Sequence, residues 1–345
     1  MMGGNSNGEH SVLNKKNVRT LIAAAMIVSV AASAVFGSQS FAQQSVNNST
    51  NVIKISPVRT DVQIAPGASK VVQVTITNLT GSSVKVSAIE NDFIAGDENG
   101  TPALILDADK FAPTHSLKRF MTPIKDVVVP SQDSVTVDVT ITVPKSAQAG
   151  GYFGAVRFAP VSPDGSSQVN LSPNAASLIL LTVPGPTTEK LNLTNFEIQQ
   201  KGAMGGFFNT SDDITTYIRF ENKGNIQEGP FGKITVKNFG KVVYEADFNV
   251  NQPRDQILPD AARRWTVPLK DLGAFGNYTV SATLTYGQKN QTVEVERTFW
   301  VIPLWAIFAA IGLVIFIIAL IVFLVILGKK RRRRATRPHM SRYRR

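Results

Sequence analysis

The side chains able to do chemistry are few and scattered. Outside the two termini the chain has one histidine, His115, and it has no cysteine anywhere. General acid–base or nucleophilic catalysis needs a titratable group with tuned neighbours, and a Ser-His-Asp arrangement would have to use His115. No G-x-S-x-G elbow precedes a helix. Four acids, Glu90, Asp92, Asp97 and Glu98, fall close together, the raw material for paired-carboxylate hydrolysis of a sugar. The run Asp97-Glu98-Asn99-Gly100 could offer calcium ligands, but it lacks the alternating acids and terminal glutamate of a calcium loop. These acids sit in a turn-rich stretch and read as solvated loop residues, and His115 as a loop histidine, so no enzyme activity, metal or cofactor is expected. The most suggestive binding group is Tyr152, Phe153 and Arg157, because aromatic faces pack on sugar rings and the flanking glycines let a ligand approach the backbone. Along a strand, Tyr152, Gly154, Val156 and Phe158 share one face and Phe153, Ala155 and Arg157 the other, so one of the two is expected to be interior.

The elements that must carry these residues have a period of two. Val72, Val74 and Ile76 alternate with polar residues, as do Val135, Val137, Val139, Ile141 and Val143. Gly151 to Phe158 and Leu178 to Val183 continue the pattern. After Pro184-Gly185-Pro186 a second set begins, with one-sided apolar faces at Ile214 to Phe220, Val242 to Val250 and Tyr278 to Tyr286. Pro-containing turns at Ala65-Pro66-Gly67, Val129-Pro130-Ser131 and Leu258-Pro259-Asp260 each launch a strand. Short strands, turn punctuation and no helical period predict an all-β architecture, two Ig-like antiparallel β-sandwiches over 52–184 and 187–301.

The ends place these modules. Leu304 to Leu327 is uninterrupted apolar sequence, long enough as a helix of roughly 36 Å to cross a hydrocarbon core of about 30 Å. It is followed by Lys329, Lys330, Arg331, Arg332, Arg333 and Arg334, which puts the 329–345 tail in the cytosol and the β modules outside. The span is taken as 302–328, with Trp300 and Trp305 at its outer boundary. A sortase-type anchor shares this layout, but no LPxTG-like motif stands before Pro303. At the other end, a basic n-region, the apolar Thr20 to Phe36 and the small residues of Ser40-Phe41-Ala42 read as a secretory signal over 1–42, with a retained signal anchor as the alternative. A polar, flexible lead-in over 43–51 follows.

Charge confirms the division of labour. Of the formal +11, ten positive charges lie in the tail, and the leader adds Lys15, Lys16 and Arg19 against Glu9, leaving the exported part at about −1. That excludes the basic stripe a nucleic-acid binder needs. An exported chain without cysteine depends on core burial and not on disulfides, which leans bacterial.

Several motifs resemble a known family. Pro66-Gly67 before a strand ending at Asn78, then Val143-Pro144-Lys145 leading into Gly150-Gly151-Tyr152-Phe153-Gly154-Ala155-Val156, is similar to the first Ig-like domain of the WxL-interacting proteins of Gram-positive bacteria. Phe220-Glu221-Asn222-Lys223-Gly224-Asn225, Gly232-Lys233-Ile234 and Gly276-Asn277-Tyr278 look like the Ig-like domain that follows, and the anchor with its basic tail matches the layout. The resemblance implies a single-pass cell-surface protein whose partners, besides the lipid bilayer, are cell-wall peptidoglycan or other surface proteins. It transfers no individual binding residue, and the chain departs in its short connection between modules. The competing expectation is a chaperone-like assembly factor acting by β-strand complementation, in which an open sheet edge lends a strand to a client.

Overall fold

A computed structural model of the chain describes residues 52–161 and 175–335, with side chains to 328. The leader, the 43–51 lead-in and the last ten residues of the tail lie outside the described residues. The first half contains β1 (Ile53–Ser56), β2 (Arg59–Gln63), β3 (Ser69–Asn78), β4 (Val84–Ala95), β5 (Pro102–Leu104), β6 (Val127–Val129), β7 (Ser134–Thr142), β8 (Gly150–Pro160) and β9 (Ala175–Val183). They form a three-stranded sheet β1-β3-β7 and a second sheet β2-β9-β8-β4-β5 with β6 on β4. The chain changes sheets between β1 and β2: β1 pairs antiparallel with the C-terminal half of β3, and β2 pairs parallel with β9.

Period-two patterning decides which side chains meet. Val72, Val74 and Ile76 of β3 and Val137, Val139 and Ile141 of β7 are buried, facing Val86, Val156, Phe158, Ile179 and Leu181 of the other sheet. Each such fully buried side chain contributes about 1.5–3 kcal/mol over its exposed state. The polar partners of β3 and β7 face solvent and fix the register through a ladder of side-chain bonds: Ser69 to Thr142, Gln73 to Asp138, Thr75 to Thr136 and Thr77 to Ser134, all between 2.8 and 3.1 Å.

The second half repeats the plan. It has β10 (Leu191–Gln200), β11 (Ala203–Met204), β12 (Phe207–Phe208), β13 (Ile214–Asn222), β14 (Phe231–Asn238), β15 (Lys241–Phe248), β16 (Ala262–Pro268), β17 (Gly276–Tyr286) and β18 (Gln291–Val301). The sheets are β11-β10-β13-β16 and β12-β18-β17-β14-β15. Ile218, Phe220, Ile234, Val236, Tyr278, Val280 and Phe299 fill a separate core. The predicted face Val242 to Val250 is only partly interior. A register shift at Val236/Lys237 and its position at the sheet edge leave Val242 and Val250 exposed.

One asparagine occupies the same place in each half. Asn78 ends β3 and donates to the carbonyls of Ser82, Val129 and Pro130; Asn222 ends β13 and donates to those of Ile226 and Ile257. Each therefore ties the turn after its strand to the Pro-turn that launches a later one. Both are buried and both accept a backbone N–H two residues on, so the amide is satisfied on both sides.

β18 leads through Ile302 and Pro303 into one helix, α1 (Leu304–Ala335). Its first 25 residues, Leu304–Gly328, are long and apolar enough to cross a membrane, and they are not buried against the rest of the chain. The helix does not stop at Gly328 but carries the Lys329 to Arg334 backbone with it, since one glycine with strong helix formers on either side costs only about 1 kcal/mol.

Candidate functional site

The acids that suggested chemistry are each occupied structurally. Asp92 is fully buried; its Oδ2 accepts from Ala112 N (2.8 Å) and Ser116 Oγ (2.6 Å), and its Oδ1 from Lys118 N (2.8 Å). Glu90 Oε1 accepts from Ile124 N at 2.7 Å. Asp97 closes the turn below it, accepting from the backbone N–H of Thr101 and Asn99, and those bonds, led by Thr101, hold its carboxyl below the usual range. His115 has its Nδ1 2.6 Å from Gly151 O, while its own carbonyl accepts from Phe153 N.

Glu98 joins the two halves. Arg219 Nε lies 3.1 Å from both carboxylate oxygens and Nη2 2.6 Å from Oε1, so the guanidinium grips it in two places. That bond holds the Glu98 pKa low and the Arg219 pKa high. Around it, Arg264 N donates to Glu98 O (2.7 Å), Arg264 Nε to Asn99 Oδ1 (3.0 Å), Arg59 Nη1 to Arg254 O (2.8 Å) and Gln227 Nε2 to Thr182 Oγ1 (2.9 Å). Gly151 N donates to Asn225 O, and a Cβ on neighbouring Gly150, whose φ is +148°, would stand 2.7 Å from that same oxygen. Only glycine allows this approach. Because the Glu98–Arg219 pair is partly solvent-exposed, its coupling is screened, and a double-mutant cycle of Glu98→Gln and Arg219→Gln read by thermal unfolding is expected to give about 1 kcal/mol or less.

Beside this junction opens a small cleft of about 80 Å³, lined by Phe93, Ile94, Leu178, Leu180 and Leu258 and rimmed by Arg59 and Arg263. Its cations are already engaged: Arg59 forks onto Asp61, and Arg263 pairs with Asp255 at 3.0 Å. The cleft therefore offers an apolar floor and no free charge at those two arginines.

Of the aromatic group, Phe153 is 3 % exposed and packs with Phe93, Ala155 and Leu180, with Leu258 of the second half against them. Tyr152 packs against the first core beside Phe120, its hydroxyl donating to Gln148 O at 2.9 Å. Arg157 is half-buried with Nε 3.4 Å from Asn91 Oδ1. Both faces of β8 are covered, one by the opposing sheet and the other by segment 104–117 and the second half. The three residues therefore share a strand but do not converge on one open surface. Trp300 is half-buried at the end of β18, Trp305 is exposed on the first turn of α1, and Lys329 to Arg334 are placed by backbone alone.

An open surface of a different kind lies on β7. Thr122 N donates to Thr140 O, so Thr140 turns its backbone groups away from β3, and the two-residue period turns those of Thr136 and Asp138 the same way. Among the described residues no strand pairs with that side; only an isolated bridge joins Met121 to Ile141. Folded proteins usually blunt such edges with lysine, proline, bulges or brevity. The other edges here are blunted: β15 carries Lys241 beside a register shift, β16 carries Arg263, Arg264 and Pro268, β2 carries Arg59 and Asp61, and β5 has three residues beginning with a proline. β7 runs nine residues in unbroken register with one charge, Asp138, already held by Gln73. Its alternation was visible in sequence, but that its far side stays unpaired depends on β6 joining β4 instead, which no local pattern announces.

No protein-family model and no curated protein matches this chain. Solved structures similar to it include a chain of a chaperone–tip adhesin complex of CFA/I fimbriae biogenesis (14 % identity, covering 72 % of this chain and 98 % of that one, TM-score 0.37). Others are the class 5 fimbriae chaperone CfaA (13 %, 72 % and 98 %, 0.37) and the E. coli chaperone DraB (14 %, 72 % and 98 %, 0.32).

Proposed function

We propose that this is a membrane-anchored, extracytoplasmic binding protein that accepts an extended segment of another surface polypeptide as an added strand on β7, in the manner of a chaperone-like assembly factor. The open, unprotected β7 edge carries the reading. In it, each half is an Ig-like sandwich, α1 spans the bilayer with the basic tail on the cytosolic side, and the first half stands outermost because the second is tethered through Ile302-Pro303. Strand addition supplies affinity through main-chain bonds to Thr136 and Asp138, and selectivity through the side chains that flank them.

Thr136→Pro tests it. The Thr136 N–H points outward, so proline removes a donor from the free edge and none from the β3 ladder, a position where a sheet tolerates it. The full chain in lipid nanodiscs is expected to retain a partner from the cell-surface protein fraction through a high-salt wash. Thr136→Pro should weaken retention roughly tenfold, since a lost bond is worth about 1 kcal/mol and the ring obstructs close strand approach. Its melting temperature should move by no more than a few degrees. Undiminished capture by Thr136→Pro would remove the strand-addition reading. Retention on purified cell wall, unaffected by Thr136→Pro but lost in Tyr152→Ala at an unchanged melting temperature, would favour the peptidoglycan contact implied by the resemblance to WxL-interacting proteins; loss together with a lowered melting temperature would report only the packing of Tyr152 on the core.

A further inference from the structure

The end of the second half from which α1 emerges is unusually apolar for an exposed surface. Four strand-end segments meet there: β12, the turn between β14 and β15, the loop before β17, and the end of β18. They present Phe207, Phe239 and Phe275, each half or more exposed, with Phe207 the most open at 74 %. Phe239 stands 6.4 Å from Phe275 and 6.3 Å from Trp300 between ring centroids, so these rings form one patch. Phe207 is the register partner of Trp300.

Two features argue that the patch is held in place. Phe239 occupies the first position of a two-residue hairpin turn with φ +46°, followed by Gly240 at +82°, a conformation that favours Asn-Gly and penalises a bulky ring. A large hydrophobe there sacrifices both turn energy and solubility. Ile302 N donates to Phe208 O and Trp300 N to Gly206 O, which fasten the base of the helix to the same strand ends. Only Ile302 and Pro303 separate β18 from α1, and that short extended link holds the helix start within about 10 Å of Val301.

We infer that this aromatic end is a membrane-docking face, seated in the interfacial layer of the bilayer that α1 crosses. The inference rests on the reading of α1 as a membrane anchor and adds a second, independent contact to it. A helix that enters hydrocarbon at Leu304 brings the patch to the depth where aromatic rings are favoured, and Lys237, Lys241 and Lys270, exposed at the same end beside Asp271, lie where lipid phosphates would be. The contact fixes the second half upright on the membrane instead of letting it swing about the Ile302-Pro303 link, and so holds the β7 edge at a constant height.

The chain has no cysteine, so single labels can be introduced without background. Nitroxides are attached to Phe239→Cys, Phe275→Cys, Trp305→Cys and Val58→Cys, each in the full chain in nanodiscs containing phosphatidylglycerol, and relaxation by oxygen is compared with relaxation by a water-soluble nickel chelate. Docking gives an oxygen-to-nickel ratio at 239 and 275 several-fold above that at 58 and close to that at 305. Aqueous readings at 239 and 275 with a lipid reading at 305 overturn the docking face and leave the anchor intact. Low accessibility to both reagents at 239 and 275 means protein covers them, a second copy for example, and also overturns it. Aqueous readings at all four positions remove the anchor and the inference together.

Discussion

Replacing Asp92 by alanine is expected to destabilise the first half by about 4 kcal/mol and to lower its melting temperature by about 10 °C. The carboxylate is completely buried and accepts three bonds, from Ala112 N, Ser116 Oγ and Lys118 N. A hydrogen bond to a charged acceptor is worth about 1.5–3 kcal/mol, and the deletion also leaves two backbone N–H groups and a hydroxyl without their acceptor. The loss should be concentrated in segment 105–121, which lies over the outer face of β8: His115 O receives Phe153 N, and a Cβ at Gly154 would stand 3.0 Å from Leu117 Cβ. Amide exchange at Ala112 and Lys118 should accelerate more than at β3. Asp92→Asn keeps the volume but presents an NH2 to donors, so it is expected to lose about half as much. Uniform acceleration across the first half, or none, would mean that the segment is held by something other than this carboxylate.

Asp92 also marks where a linear reading of the chain stops. Its three donors lie 20 to 26 residues downstream, and the guanidinium that takes Glu98 lies 121 residues away. An acid whose partners are brought by tertiary structure looks, in sequence, like a solvated loop acid. β7 and β3 were legible because both faces of each strand declare themselves within two residues. β8 was harder: its alternation suggests one open face, but the cover on the Phe153 side comes from segment 104–117 and from Leu258 of the second half. The apolar helix was legible because it requires only its own residues. Asn78 and Asn222 left a faint trace, the recurring Pro-turns at Val129-Pro130 and Leu258-Pro259, without revealing that one buried amide in each half holds that turn.

Raising the pH from about 5 to about 8 is expected to lower stability by up to about 3 kcal/mol through Glu228 alone. This side chain is 4 % exposed, and burial, with a smaller push from the nearby Glu189 carboxylate, raises its pKa from 4.5 to about 7. Between 4.5 and 7 the folded protein keeps a proton that the unfolded chain has released. Stability therefore falls as pH rises through that window; it is fully present below 4.5 and lost above 7. At about 1.36 kcal/mol per pH unit the window amounts to roughly 3 kcal/mol. Glu228→Gln should flatten the profile, matching the parent near pH 5 and melting about 6–12 °C higher near pH 8, which scanning calorimetry would read directly. Glu189→Gln should shift the window downward without abolishing it, because it removes the smaller of the two causes. Glu228 pairs through its backbone with Ile257, beside the Gln227–Thr182 bond between the halves. If the pH effect acts on the junction itself, amide exchange at Gly151, whose N–H reaches Asn225 O across it, should quicken between pH 5 and pH 8 beyond the intrinsic pH dependence of exchange in the parent but not in Glu228→Gln. Equal behaviour in both proteins would confine the ionisation to the core of the second half.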